Sequence, residues 1–481
     1  MSTAYRPLYL NGQFVDSLSG KRLPVVNPAT EETFAEVGLG GREDAAKAID
    51  HAAEAMPAWM KLTAYDRAKI LKKTAELLRE RADAFARDMT MEQGKPLAES
   101  KGEVMQAADT FEWFAEEGKR AYGMLIPNSV AGKRHFTLKH PVGVVAAVGP
   151  WNFPMTLLCR KIAPALAAGC TVVAKPASQT PLSLMNVIQC LHDAGLPAGC
   201  ANAVVGPASE IGDEFMRNPA VKKVSFTGST AVGKHLMRQA ADTVKRLSLE
   251  LGGHAPFIVF PDADPEVVAK AAVIGKFRNN GQVCISPSRF FVHKDIEKRF
   301  TEVAVAEAKA LKLGNGLDAA TQIGPMFEKK AMDNTIGLID DARAKGAECL
   351  TGGSRSAKFE KGYFFEPTIL KNLPANARVM SEEPFAPVMP ILDFGKIDEV
   401  IAAANNTPYG LAAYVFTNDI SVAFKMAEGL EAGIIGLNDP VPATPQCPFG
   451  GMKESGLGRE LGSVGLDAYF ETKYVSLKLR D

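Results

Sequence analysis

Over residues 41–91 the polar and apolar positions repeat at three- and four-residue spacing. The stretches "REDAAKAIDHAAEAMPAWM" and "AYDRAKILKKTAELLRERADAFARDMTMEQ" predict helices over 41–91. Asp44 and Asp66 fall early in them, where negative charge suits a helix N-terminus. From about residue 140 the pattern changes, and short β-branched runs alternate with amphipathic helical segments. "VGVVAAVGP" precedes "MTLLCRKIAPALAAG", "TVVAKP" precedes "PLSLMNVIQCLHDAG", "AVVG" precedes "SEIGDEFMRN", and "KVSFTGS" precedes "TAVGKHLMRQAAD". Apolar strand followed by helix, repeated, predicts an α/β fold with a parallel sheet covered on both faces. Ligands bind such sheets at the carboxyl ends of the strands. Over 254–440 the alternation resumes with "PFIVF", a helix near 266–277, "RFFVH" and a helix near 296–311, which predicts a second α/β domain. "GKRHFTLKH" and the tail "YFETKYVSLKLR" alternate as strands outside both blocks and are candidate oligomer-forming edges.

At 481 residues the chain is long enough for two or three cores. Lys+Arg and Asp+Glu each number 55, so bulk charge points to neither nucleic acid nor a membrane surface as partner. "MSTAYRPLYLNGQFVD" lacks a basic region followed by an apolar run, and no apolar stretch is long enough to span a bilayer, so a cytoplasmic protein is expected. Seven widely spaced cysteines, without a C-x-x-C pair, support neither a disulfide framework nor a zinc cluster, and no metal site is expected.

Several segments are candidates for chemistry. "GSTAVGKH", Gly228 to His235, nearly matches a triphosphate-binding loop, but His235 stands where a magnesium-binding hydroxyl is required. The turn offers backbone amides and the Ser229 hydroxyl to a pyrophosphate, or is simply a tight strand-to-helix turn. Lys175 in "AKPAS" ends an apolar strand and is either a ribose or phosphate ligand or a solvated surface lysine. Cys284 in "RNNGQVCISPSR" is structural, a metal ligand or a nucleophile. Asn152 in "GPWNFP" is a candidate oxyanion donor. Glu250 in "LELGGHAP" is a raised-pKa base or an ion-paired carboxylate.

Together "PWNFP", "KPAS", "FTGST", "ELGGHAP", "GQVC", "EEPFAP" and "PFGGMKESGLGRE" resemble, in order, the motifs of the aldehyde dehydrogenase superfamily, and the likeness runs from "NPATEE" to "SGLGRE". The resemblance implies a Rossmann-type NAD(P)-binding domain over 1–121 and 142–252, a catalytic α/β domain over 253–452, and oligomerisation strands over 122–141 and 466–481. It implies a homodimer or homotetramer. It makes Cys284 the nucleophile, Asn152 with the Cys284 amide the oxyanion site, and Glu250 the base that hydrolyses a thioester. It assigns cofactor contacts to Pro150, Trp151, Lys175, Gly228, Ser229, Leu251, Glu383 and Phe385. Many NAD-specific relatives carry a glutamate three residues after the lysine. Ser178 stands there, which removes a charge that would repel a 2′-phosphate, so NADP is expected to be accepted beside NAD.

Within the superfamily the chain looks most like succinate-semialdehyde and 2-oxoglutarate-semialdehyde dehydrogenases. Arg160 and Arg278 match arginines that hold the distal carboxylate of a semialdehyde acid, a task suited to the forked guanidinium. The alternatives are another aldehyde, sulfonated or neutral. Three positions depart from the pattern. Ala443, with Thr444 beside it, lies where a serine often touches the carboxylate. Ser286 replaces a second cysteine, so no disulfide control is expected. Ala386 stands where glycine is usual.

Overall fold

Five parallel strands form the centre of the first sheet in the computed structural model, which describes residues 4–480. Residues 1–3 and 481 of the segments assigned above lie outside the described residues. Across the sheet the five run Arg246–Glu250, Val221–Thr227, Val144–Val148, Thr171–Lys175 and Ala201–Ala203. Val144–Val148 comes first in the chain. The order therefore grows outward in both directions from the gap between it and Val221–Thr227, and the crevice at that reversal is where an open α/β sheet binds ligands. Helices Thr156–Ala168, Leu182–Asp193, Ala208–Arg217 and Thr230–Ala240 make the connections.

The strands read as unbroken apolar runs because both faces are covered. Val145, Ala147, Val172 and Ala174 pack into one core, while Val144, Ala146 and Val173 pack into another on the opposite face. Leu8–Leu10 and Gln13–Val15 extend one edge of the sheet. At the other edge Gly456–Leu457 pairs antiparallel with Arg246–Glu250, setting Gly456 opposite Glu250.

The strand expected over "AVVG" is displaced, and Ala201–Ala203 forms the ladder instead. Its continuation is taken by another segment. The Val205 carbonyl accepts from the Gly40 amide at 2.8 Å, and a Cβ on Gly206 would lie 2.0 Å from the Gly40 oxygen. Glycine at 206 thus leaves room for the Gly40 segment, which meets the chain where the ladder to Thr171–Lys175 ends. The N-terminal helices are Arg42–Lys61, Ala64–Glu80 and Ala82–Gln93, so the second predicted helix breaks at Arg81. A further helix, Leu97–Glu117, was not foreseen.

The second sheet has seven strands. From one edge they are Glu348–Thr351, Thr368–Lys371, Val388–Phe394, Pro287–His293, Ala255–Val259, Ala412–Phe416 and Ile434–Leu437, all parallel except the first. The two outlying strands pair with each other. Lys133–Pro141 and Phe470–Lys478 run antiparallel, with Leu125–Ile126 as a third strand. Among the described residues no helix is long and apolar enough to cross a membrane.

Candidate active site

The reversal point of the first sheet is built by two glycines. Val144–Val148 ends at Gly149, whose N–H donates to the Lys175 carbonyl at 3.0 Å. A Cβ there would fall 2.6 Å from the Leu158 side chain, so only glycine lets the chain turn into Pro150, Trp151 and Asn152. Val221–Thr227 ends at Gly228, where a Cβ would fall 2.4 Å from the Phe226 ring. The Gly228 amide donates to the Glu250 carbonyl at 3.0 Å. Ser229 caps helix Thr230–Ala240 by accepting from Val232 N–H. The Gly228 amide is thus engaged within the fold, while the Ser229 hydroxyl keeps its own proton to donate.

A cavity of about 220 Å³ opens there. Pro150, Trp151 and Asn152 line it beside Gly228, Ser229 and Leu251, and Glu383, Phe385 and Cys284 complete the wall. Trp151 stacks on Phe327, with centroids 4.1 Å apart, and meets Phe385 edge-on at 5.6 Å. Phe385 is held at φ 43°, a left-handed conformation unusual for a bulky residue. Glu383 Oε1 accepts from Gly253 N–H at 3.1 Å. Burial pushes its carboxyl up to about 7, against the Gly253 hydrogen bond and the Lys276 charge. A Cβ on Gly252 would lie 2.5 Å from Glu383 Oε2, so the glycine leaves the carboxylate its space.

Lys175 is not a surface lysine. It is buried, its ammonium donates to the Pro176 carbonyl at 3.1 Å, and burial pushes it down to about 8. The Ser178 hydroxyl donates to the Gly206 carbonyl at 2.8 Å. Neither residue is among those lining the cavity, although Lys175 ends the strand next to the one that leads to Pro150.

Cys284 follows a strained turn. Asn279, Asn280 and Gly281 are all left-handed, at φ 47°, 56° and 67°. The thiol is pushed up to about 12 by burial; Arg160 opposes this, and the Glu383 and Glu250 charges add to it. Cys284 is therefore a neutral thiol at pH 7, and its proton has to leave before it attacks. Asn152 Nδ2 donates to the Gln282 carbonyl at 3.0 Å, which leaves its second N–H for another acceptor.

Cys284 also lines a second, narrower pocket together with Arg160, Arg278, Phe153, Gln106 and Ala443. Arg278 Cζ stands 5.3 Å from the centroid of Phe153. Ala443, which lacks a hydroxyl, faces this pocket, whereas Thr444 is not part of the lining. Ser286 is buried, with Lys276 Nζ 3.4 Å from its hydroxyl, and Ala386 is fully buried behind the Gly281 turn.

Glu250 ends its strand with its side chain buried and Oε2 without a hydrogen-bond partner. It lines neither pocket. Burial holds its carboxyl well above the ordinary range; Glu460 adds to this, and Lys161, Arg160 and Arg459 oppose it. Lys161 and Glu460 form a buried ion pair, and Lys161 also donates to Thr227 Oγ1 at 2.7 Å. Burial of this kind favours the protonated form and makes the carboxylate a stronger base once it is ionised. Sequence reasoning missed Lys161, Glu460, Gln106 and Phe327. Glu460 lay within the quoted "SGLGRE", but only the pairing of Gly456 with Glu250 brings it to the site. All seven cysteines are free thiols, and no cluster of three or more His, Cys, Asp or Glu side chains occurs among the described residues.

Comparison with known proteins agrees with this geometry. The family model "Aldehyde dehydrogenase family" matches residues 14–475. The chain is 46% identical over 471 residues to glutarate-semialdehyde dehydrogenase of Pseudomonas putida, covering 98% of this chain and 97% of the relative. It is 47% identical over 470 residues to the NADP(+) succinate-semialdehyde dehydrogenase of Escherichia coli K12, at 98% and 97% coverage. The crystal structure of an NADP-dependent enzyme from E. coli superposes with a TM-score of 0.97 at 46% identity, covering 99% of this chain and 98% of that one. With a cysteine where two pockets meet, at the reversal point of a Rossmann-type sheet, and with similarity across almost its whole length, this chain belongs to the aldehyde dehydrogenase family.

Proposed function

We propose that this protein oxidises a short semialdehyde acid to the dicarboxylate with NAD or NADP, through a thioester on Cys284. The observation that carries the reading is the narrow pocket in which Arg160, Arg278 and Cys284 meet. Two guanidinium groups fix a distal carboxylate, and the aldehyde carbon is then presented to sulfur. The relatives named above act on semialdehyde acids by their names, which supports the same substrate class here.

The cavity fits the nicotinamide end of a dinucleotide, with Lys175 and Ser178 beyond its lining. Gly252 leaves room for Glu383 to point inward, Trp151 and Phe385 offer ring faces and edges, and Lys175 has a buried ammonium with a single protein acceptor. In this reading Glu383 holds the nicotinamide ribose, while Lys175 and Ser178 face the adenosine end. Bound there, the cofactor supplies the hydride acceptor.

Cys284 Sγ attacks the aldehyde carbon after its proton has passed to solvent water. The remaining N–H of Asn152 and the Cys284 amide stabilise the oxygen as it becomes negative. After hydride departure the acyl group stays on sulfur as a thioester. Glu250 then takes a proton from water as the water attacks the thioester carbonyl; the C–S bond breaks, Glu250 returns the proton to sulfur, and the acid product loses its own proton to solvent to leave as the carboxylate.

Residues 1–121 and 142–252 serve as the cofactor domain, 253–452 as the catalytic domain, and 122–141 with 466–481 as the oligomer-forming element of a cytoplasmic dimer or tetramer. The exposed apolar side chains of the small sheet, Leu125 at 80% and Tyr474 at 60%, support that last role.

The test is reduction of NAD and NADP with succinate, glutarate and 2-oxoglutarate semialdehydes, a sulfonated short aldehyde and neutral aldehydes of matched length. The acids are expected to exceed the neutral aldehydes in kcat/KM by about a hundredfold, as two charge-assisted contacts allow. Equal rates on both would remove the semialdehyde-acid assignment.

A further inference from the structure

Behind Asn152 lies a polar network that no step above uses. The Lys95 side chain is fully buried and donates two bonds of 2.6 Å, one to Glu103 Oε2 and one to the main-chain carbonyl of Asn152. Asn279 Nδ2 donates to that same carbonyl at 3.0 Å. Asn279 is itself held from two sides. Gln93 Nε2 donates to its Oδ1 at 2.9 Å, and its own N–H donates to the Glu99 carboxylate at 3.0 Å. Glu103 completes the frame, with Oε1 accepting from the amides of Met155 and Thr156 at 3.0 and 3.1 Å. The Lys95 ammonium also stands 3.9 Å from the ring centroid of Phe153.

Stability is a poor explanation for this arrangement. A buried ion pair generally contributes no more than apolar side chains of similar volume. Asn279 and Asn280, left-handed in succession, add backbone strain of the kind concentrated at functional sites. The direction of the bonds is the informative feature, because two donors converge on the carbonyl of Asn152. With that carbonyl fixed and one amide N–H bound to Gln282, the other N–H has a defined direction.

We propose that Lys95 and Asn279 are positioning residues, which aim the Asn152 amide at the developing oxyanion by fixing its main-chain carbonyl, although neither touches the substrate. This rests on the reading of Asn152 as the oxyanion donor to Cys284. Fixed donors lower the barrier because they need no reorganisation when charge appears, so a loosened donor is expected to slow acylation and leave cofactor binding alone.

Three variants test it in the full-length protein. Asn279→Gly keeps the left-handed backbone and removes the side chain. The double variant Lys95→Met/Glu103→Gln removes both charges together and leaves neither unpaired. Asn152→Ala is the reference. For each variant kcat, the KM for aldehyde and cofactor, and the rate of Cys284 alkylation by iodoacetamide are measured. Alkylation needs the thiol but develops no oxyanion. The expected result is a kcat about 10- to 100-fold below wild type in the first two variants, short of the full loss of an oxyanion donor. Cofactor KM and alkylation rate should stay within about twofold, since neither draws on the oxyanion donor. Wild-type kcat in both variants would overturn the proposal, as would alkylation falling in step with kcat, which marks simple collapse of the loop. A wild-type kcat in Asn152→Ala would instead remove the reading beneath it, and the proposal with it. Should the double variant fail to fold, Asn279→Gly decides alone.

Discussion

The guanidinium of Arg160 lies over the ring of Phe449, with Cζ 4.5 Å from the ring centroid, and its Nε is buried without a hydrogen-bond partner. A ring face holds the cation in place but leaves its in-plane donors free. A buried donor left unmatched is costly unless a ligand completes it. Arg160→Met is therefore expected to raise KM for the semialdehyde acid by roughly 10- to 100-fold, the worth of one charge-assisted hydrogen bond. The neutral aldehyde of equal length should change by less than about threefold, since it offers that bond no partner. Arg278→Met should behave alike. An equal loss on both aldehydes would make the arginines structural.

Ser178 donates to the Gly206 carbonyl and brings no charge to the loop that follows Thr171–Lys175. Ser178→Glu should lower kcat/KM with NADP by about tenfold or more relative to NAD, because a carboxylate repels a 2′-phosphate at short range. Steady-state kinetics with both cofactors reads the ratio. An unchanged ratio would show that Ser178 does not face the adenosine ribose.

Glu383 gives a pH dependence with a defined sign. Its carboxyl is pushed up to about 7 by burial, so it is charged above that pH and protonated below it. The charged form is the stronger acceptor for a ribose hydroxyl. Cofactor KM is thus expected to rise as pH falls through about 7, while Glu383→Gln should show a high KM without that step. A KM profile of the wild type that stays flat from pH 6 to about 8, across the range where the group titrates, would contradict the assignment.

The small sheet exposes Leu125, Leu138 and Tyr474 at 80%, 50% and 60%. Light scattering of the wild type should give a multiple of 51.5 kDa. Aspartate at all three positions should lower that multiple, since desolvating charge opposes an apolar interface. A wild-type mass of one chain would end the oligomer reading.

The sheet strands were legible in sequence because strands covered on both faces must be apolar throughout, and the connecting helices announce themselves by period. Cys284, Asn152 and Glu250 stood out as candidates because their motifs occur in family order. The "AVVG" strand was misplaced because its ladder ends where the Gly40 segment, more than 160 residues earlier in the chain, meets it. Tertiary structure alone decided which charges are buried. Lys95, Lys161 and Lys175 look in sequence like any surface lysine, yet all three are almost fully enclosed. Burial of a charge depends on what distant segments pack against it. The partners that make it tolerable, Glu103 for Lys95 and Glu460 for Lys161, are chosen by the fold and not by spacing along the chain. The sequence by itself determined the family and the alternation of elements, and it nominated the candidate reacting groups. Their orientation, the raised Glu250 and Cys284, and the pocket shared by Arg160 and Arg278 arise from contacts between residues far apart in the chain.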